Sequence, residues 1–132
     1  MITVILADDH AILRDGLRFL LEREEDIQIV ATAANGQEAV EIAIQHCPDV
    51  VLMDISMPIM NGIEATKQIC AACKNTKVAI LSMYHTSEYL QRALKAGAQG
   101  YLLKDSAGVE VIAAIHALHE GKRYFSQKIV GV

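Results

Sequence analysis

Five short apolar runs, each followed by a longer stretch of helical spacing, fill this chain from residue 2 to residue 120. A short apolar run bounded by turn residues reads as a buried strand, whereas apolar residues recurring at i, i+3 and i+4 read as a helix. Strands are expected at about residues 2–8, 27–31, 50–54, 77–82 and 100–103. Helices are expected at about residues 12–24, 36–46, 62–72, 87–95 and 107–120. Strands alternating with helices argue for βαβ units, a parallel sheet and helices on both faces, joined by right-handed crossovers. The fold class is therefore α/β, a single doubly wound five-stranded parallel sheet.

The breaks between elements have local causes. Asn35-Gly36 and Asn61-Gly62 supply turns and helix starts. Pro48 ends the second helix, because the residue before a proline is pushed out of the α region. Ala96-Gly97-Ala98 ends the fourth. Asp105 or Ser106 can cap the start of the fifth, and Gly121 can terminate it. Leu13, Leu17, Leu20 and Leu21 form one stripe on the first helix, with Ile12 and Phe19 outside it. The fifth helix carries two stripes: Val109, Ile112, Ala113 and His116, then Val111, Ile115 and Leu118. One can face the sheet, and the other calls for a cover such as a partner subunit or an attached domain. Residues 122–132 are too short to fold alone and read as the start of a linker, so one domain is expected at residues 1–121.

Composition narrows the classes. The chain has 132 residues, enough for one domain, and 52% of them are hydrophobic, enough for a core. No apolar stretch approaches the roughly 18 residues of a membrane span, and no signal-peptide pattern is present. The expected location is the cytoplasm, with no membrane partner. A net charge of −4 without a Lys/Arg cluster argues against direct nucleic-acid binding by this domain, which depends on neutralising phosphates. The three cysteines, Cys47, Cys70 and Cys73, read as reduced thiols in a leaderless chain.

The chemistry gathers at the carboxyl ends of the strands, where open α/β sheets place their functional residues. The first strand ends at Asp8-Asp9, the third at Asp54, the fourth at Ser82 and the fifth at Lys104. Each residue alone could be a cap or a solvated surface group. Capping does not explain five of them at successive strand ends. Three neighbouring carboxylates resist joint ionisation, and a divalent cation relieves them. Magnesium takes oxygen ligands, which Asp8, Asp9 and Asp54 supply. A carboxylate beside such a metal can be a nucleophile toward phosphorus. A lysine and a hydroxyl can then stabilise the transferring charge.

With Asp8-Asp9, Asp54 with Pro58 and Gly62, Ser82 and Lys104 in this order, the chain resembles the receiver domain of two-component response regulators over about residues 2–121. Leu81-Ser82-Met83 and the run from Ala96 to Asp105 resemble the NarL/FixJ (LuxR-type) subfamily. The resemblance implies a flavodoxin/CheY-like (βα)5 fold with strand order 2-1-3-4-5. It implies that Asp54 is phosphorylated from a phosphohistidine of a sensor histidine kinase. Magnesium would be held by Asp9 and Asp54 directly, by Asp8 through water and by the Ser56 backbone carbonyl. Lys104 would pair with phosphorylated Asp54, and Ser82 would move to donate to the phosphoryl group. Tyr101, at the family's switch-aromatic position, would turn inward into the space Ser82 leaves. Met83 would shield the site, while Ser56 and Tyr84 would flank the path of hydrolytic water. Asp105 follows Lys104 where many receivers have proline. The usual subfamily output is a C-terminal helix-turn-helix that binds promoter DNA. The resemblance thus implies transcription regulation by a longer protein and leaves room for a homodimer on phosphorylation.

Other readings are weaker. A stand-alone receiver shares all of these features. A magnesium-dependent aspartate-nucleophile phosphohydrolase resembles the site chemically, but such enzymes carry a second Asp two residues after the nucleophile, where this chain has Ser56. A flavodoxin-like cofactor binder lacks its phosphate-binding loop here, and no Walker-type loop is present. Cys70-Ala71-Ala72-Cys73 lies near a helix C-terminus, where the dipole opposes a thiolate, and too few ligands accompany it for zinc. His10 is adjacent to the acidic pair, but no role is assigned to it.

Overall fold

In the computed structural model, residues 1–130 are described. They form β1 (Ile2–Ala7), α1 (Ala11–Glu22), β2 (Ile27–Ala33), α2 (Gly36–His46), β3 (Val50–Asp54) and α3 (Gly62–Ala72). Then follow β4 (Lys77–Ser82), α4 (Ser87–Ala96), β5 (Gly100–Leu103), α5 (Ala107–His119), β6 (Tyr124–Phe125) and α6 (Gln127–Val130). The sheet runs β2-β1-β3-β4-β5-β6, and its neighbours are parallel. The expected order of the first five strands is the one observed.

All five residues of β3 are buried, because helices cover both faces of the sheet. Leu17 and Leu21 of α1 share one core with Val111, Ile115 and Leu118 of α5. Ala39, Val40 and Ala43 of α2, Ala65 and Ile69 of α3, and Ala93 of α4 fill the other. Of the two apolar stripes on α5, the one with Val111 therefore faces the sheet. The other points outward, with Val109 89% exposed. Ile12 and Phe19 are exposed as well, as their place outside the α1 stripe predicts.

Local chemistry sets the helix starts. The Asn35 and Asn61 side chains accept from the Glu38 and Glu64 N–H groups at 2.8 and 2.9 Å, satisfying donors that the first turn leaves free. Ser106 occupies the cap position of α5, but its hydroxyl donates to the Leu103 carbonyl instead. Boundaries shift modestly. The strand expected at 27–31 extends to Ala33, and the helix expected at 12–24 spans Ala11–Glu22.

A minor sixth strand extends the expected five-stranded order, and residues 124–126, expected at the start of a linker, lie along the outer edge of β5. Tyr124 N–H donates to the Gln99 carbonyl at 3.1 Å and Ser126 N–H to the Tyr101 carbonyl at 2.9 Å. A strand of two residues is too short for any periodicity to show, and it forms because the β5 edge offers unpaired backbone groups. The packed unit among the described residues thus runs past residue 121, since Ser126 and Ile129 are buried.

One expectation is corrected, that the three cysteines are reduced thiols. Cys47 and Cys73 are disulfide-bonded, with Cα atoms 5.6 Å apart. They close α2 and α3, which lie side by side on one face of the sheet and end together. Cys70 stays a thiol, pushed up from its ordinary pKa by burial, so the C-x-x-C pair is not a reactive dithiol. Alkylation of the denatured protein without reductant should label one cysteine, and reduction should raise that to three. Intact mass distinguishes these, and three labels without reductant would exclude the bond.

Candidate functional site

The register of the central strands brings the acidic ends together. Ala7 pairs with Met53, so Asp8 and Asp54 follow a matched pair on neighbouring strands. Asp54 pairs with Leu81, which places Ser82 one step further along β4. Ser82 pairs with Leu103, which places Lys104 one step beyond β5. The connections leave β1 and β3 toward opposite sides of the sheet, and the crevice opens between those two strands.

Asp8 and Asp54 are 1% and 2% exposed. Asp8 does not cap α1: its Oδ1 accepts from the His10 N–H at 2.8 Å, and His10 takes the cap position without a side-chain bond. Arg14 braces the turn by donating to the Asp8 carbonyl at 2.8 Å. Lys104 is no solvated surface lysine. Its Nζ lies 3.1 Å from Asp54 Oδ2 and 3.5 Å from Asp8 Oδ2, and the side chain is 10% exposed. Even so, Oδ2 of each aspartate is buried without a partner in hydrogen-bond geometry. An oxygen in that condition is costly unless something binds it.

One lysine does not neutralise the pair. The Asp54 carboxyl is pushed up to about 6, by burial first and by the charge of Asp8 second, against the lowering effect of Lys104. Asp8, Asp9, His10 and Asp54 each offer one ligand atom, and these four atoms all lie within 4.8 Å of one another. This acidic cluster could hold a metal ion, and the orphaned oxygens fit a hard cation.

His10, which its place beside the acidic pair put near the site without a role, lies among the carboxylates. Its Nδ1 lies 3.2 Å from Asp8 Oδ1, 3.5 Å from Asp9 Oδ1 and 3.1 Å from Lys104 Nζ. Adjacency to the acidic pair was the available signal, but the direction of the ring depends on the turn that Asp8 forms with the His10 backbone.

Asp54, Ser56, Ser82, Met83, Tyr84, His10 and Lys104 line a small cavity of about 70 Å³. The Ser82 hydroxyl accepts from the Tyr84 N–H at 2.9 Å, so it caps its own turn. Ser56 Oγ and Tyr84 OH approach to 3.4 Å at the rim. The Ser56 N–H donates to Asp54 Oδ1 at 3.3 Å. Tyr101 is fully enclosed and donates to the Tyr84 carbonyl at 2.9 Å. Its ring is turned inward.

The chemistry open to this arrangement follows from charge. A buried carboxylate, an acidic cluster that could hold a cation, an ammonium beside them and a nearby hydroxyl are the groups that phosphoryl transfer to a carboxylate uses.

Comparison with known proteins agrees with the geometry. Residues 4–116 match the family model "Response regulator receiver domain". The chain is 41% identical over 127 residues to the oxygen regulatory protein NreC of Staphylococcus epidermidis, covering 96% of this chain and 58% of that protein. It is 45% identical over 121 residues to the transcriptional regulatory protein LnrK of Bacillus subtilis, covering 92% of this chain and 55% of the relative. A crystal structure of a LuxR-family two-component response regulator from Aurantimonas sp. SI85-9A1 superposes with a TM-score of 0.94 at 37% identity, covering 99% of this chain and 94% of that one. The chain thus spans little more than half the length of these curated relatives. Among the described residues, no helix is long and apolar enough to cross a membrane.

Proposed function

This chain belongs to the response regulator receiver family, as a receiver domain of the NarL/LuxR type, and we propose that Asp54 is its phosphoacceptor. The observation that carries this is the buried Asp54 Oδ2, which lacks a hydrogen bond and lies 3.1 Å from Lys104 Nζ at the mouth of the acidic crevice.

In the proposed reaction an Asp54 carboxylate oxygen attacks phosphorus. The bond to the histidine nitrogen of a sensor kinase breaks, and that nitrogen keeps the electron pair and takes up a proton. Asp9 and Asp54, with Asp8 through water and the Ser56 carbonyl, would hold magnesium, which when bound offsets the charge on the phosphoryl oxygens. Lys104 follows the phosphoryl group as its fixed counter-charge. The Ser82 hydroxyl leaves the Tyr84 N–H and donates to a phosphoryl oxygen. Tyr101 would then fill the space that Ser82 leaves.

Hydrolysis should be slow. Where an aspartate-nucleophile phosphohydrolase has an acid-base Asp, this chain has Ser56, whose hydroxyl is engaged near Tyr84 OH. The family is regulatory, and slow loss suits a signal. In the longer protein the reading extends to a sensor histidine kinase upstream and a DNA-binding output downstream, in the cytoplasm. This domain does not itself grip DNA.

Incubation of the protein with acetyl phosphate, followed by intact mass, tests the reading. One phosphoryl adduct should appear with magnesium and none without it. Continuous phosphate release at the rate of an enzyme would favour the hydrolase, and absence of any adduct would overturn the assignment of Asp54.

A further inference from the structure

His10 stands at the rim of the acidic crevice with a ring that no capping duty claims. Its backbone starts α1 in an extended conformation, and its side chain makes no cap bond. Nδ1 instead meets four charged groups. It lies 3.2 Å from Asp8 Oδ1, 3.5 Å from Asp9 Oδ1, 3.9 Å from Asp54 Oδ2 and 3.1 Å from Lys104 Nζ. One ring nitrogen cannot serve all of these. As a donor to the carboxylates it opposes the ammonium, and as an acceptor from the ammonium it turns its lone pair on the carboxylate oxygens. A single cation among them removes the conflict, because lone pair and carboxylates then point at one charge. Lys104 keeps its contacts with Asp8 and Asp54. The buried Oδ2 atoms of Asp8 and Asp54, which lack a hydrogen bond, independently call for the same occupant.

We propose that His10 sets the cation preference of this cluster: Nδ1 is a fourth ligand for divalent cations of the zinc and nickel class, and stays unbound when magnesium occupies the carboxylates. The proposal rests on the reading of Asp8, Asp9 and Asp54 as the cation site. The spacing suits it. A cation with bonds of about 2.1 Å holds adjacent ligand atoms roughly 3.0 to 3.4 Å apart, which the contacts of Nδ1 with Asp8 and Asp9 approach. Asp8 and Asp54 are fixed by burial, while the His10 and Asp9 side chains are 59% and 33% exposed and able to close on an ion. Ligand chemistry then separates the cations. Magnesium takes oxygen ligands and keeps several waters, so a neutral nitrogen adds little to its binding. Imidazole suits zinc and nickel. Nδ1 replaces one water on those ions, whereas the carboxylates hold both classes.

Separate titrations with zinc and with magnesium, followed by NMR on the His10 ring nitrogens and the Asp9 and Asp54 amides, test this. Zinc should displace the His10 Nδ1 signal, and magnesium should leave it near its metal-free position while the amides respond. His10→Ala should weaken zinc binding about tenfold or more and change magnesium binding by less than about twofold. His10→Asn, whose side chain can cap α1, serves if His10→Ala does not fold. Because binding is read at these residues, zinc held elsewhere on the protein does not enter the result. Equal losses for the two cations in the variant would overturn the role of His10, as would an unmoved Nδ1 signal while zinc saturates the amide shifts. Either result leaves the carboxylates as the cation site. Saturable binding of neither cation would overturn the carboxylate site and the proposal with it.

Discussion

Asp54→Asn is expected to remove the phosphoryl adduct completely and, at the same time, to stabilise the fold at neutral pH. Both effects come from the same carboxylate. The amide cannot form an acyl phosphate, so no adduct remains with acetyl phosphate and magnesium. The substitution also removes a buried negative charge set against Asp8, which Lys104 and the Ser56 N–H offset only in part. The pKa of Asp54 is raised from 3.8 to about 6, so the folded state binds this proton more tightly than the unfolded chain does. No penalty exists below the unfolded value. It grows as pH rises from 3.8 toward 6 and is fully present above 6. At about 1.4 kcal/mol per pKa unit, the shift corresponds to roughly 3 kcal/mol at neutral pH. Metal-free wild type should therefore melt several degrees higher at pH 5 than at pH 7, and Asp54→Asn should flatten that dependence. Magnesium at pH 7 should recover part of the lost stability in wild type only. Parallel melting profiles for the two proteins between pH 5 and pH 7 would show that the buried carboxylate carries no such cost.

Gly62→Ala should cause the largest loss of stability. A methyl group there would overlap the Asp54 carbonyl oxygen and would lie 2.8 Å from its carbonyl carbon and 2.9 Å from Met53 Cγ. Backbone cannot yield as a side-chain tip does. The Gly62 N–H donates to the Ile55 carbonyl at 2.9 Å, and the Thr66 hydroxyl donates to the Gly62 carbonyl at 2.7 Å, so the start of α3 is tied to the strand end it packs on. Overpacking against fixed backbone costs about 3 kcal/mol or more. Gly16→Ala is the control. Nothing lies within 4 Å of a methyl there, and helix propensity favours alanine by about 1 kcal/mol. Urea unfolding should move the midpoint down for Gly62→Ala and up for Gly16→Ala. An unchanged midpoint for Gly62→Ala would mean that α3 can separate from β3 without cost. The adduct assay on any folded Gly62→Ala protein reports whether displaced Asp54 still accepts phosphate.

The site was legible to the extent that it is made of strand ends. Asp8, Asp9, Asp54, Ser82 and Lys104 each follow an apolar run, and the parallel register then gathers them at one edge. His10 was not legible in the same way. Its ring reaches the carboxylates only because Asp8 accepts from the His10 N–H and turns the chain there. Tyr101 was placed on the correct strand, but its enclosed position depends on packing against residues distant in sequence, such as Tyr84, whose carbonyl accepts from its hydroxyl.

What the sequence determined by itself is the alternation of strands and helices, the Asn caps and the polar strand ends. Each of these depends on residues a few positions apart, within reach of periodicity, capping and turn chemistry. The tertiary structure alone decided the Cys47–Cys73 bond, the sixth strand and the double engagement of Ser126 by Leu103 and Glu110. These contacts join residues 16 to 26 positions apart or an edge to a two-residue strand. They exist because packed helices end side by side and because β5 would otherwise present unpaired backbone, and no local pattern encodes either condition.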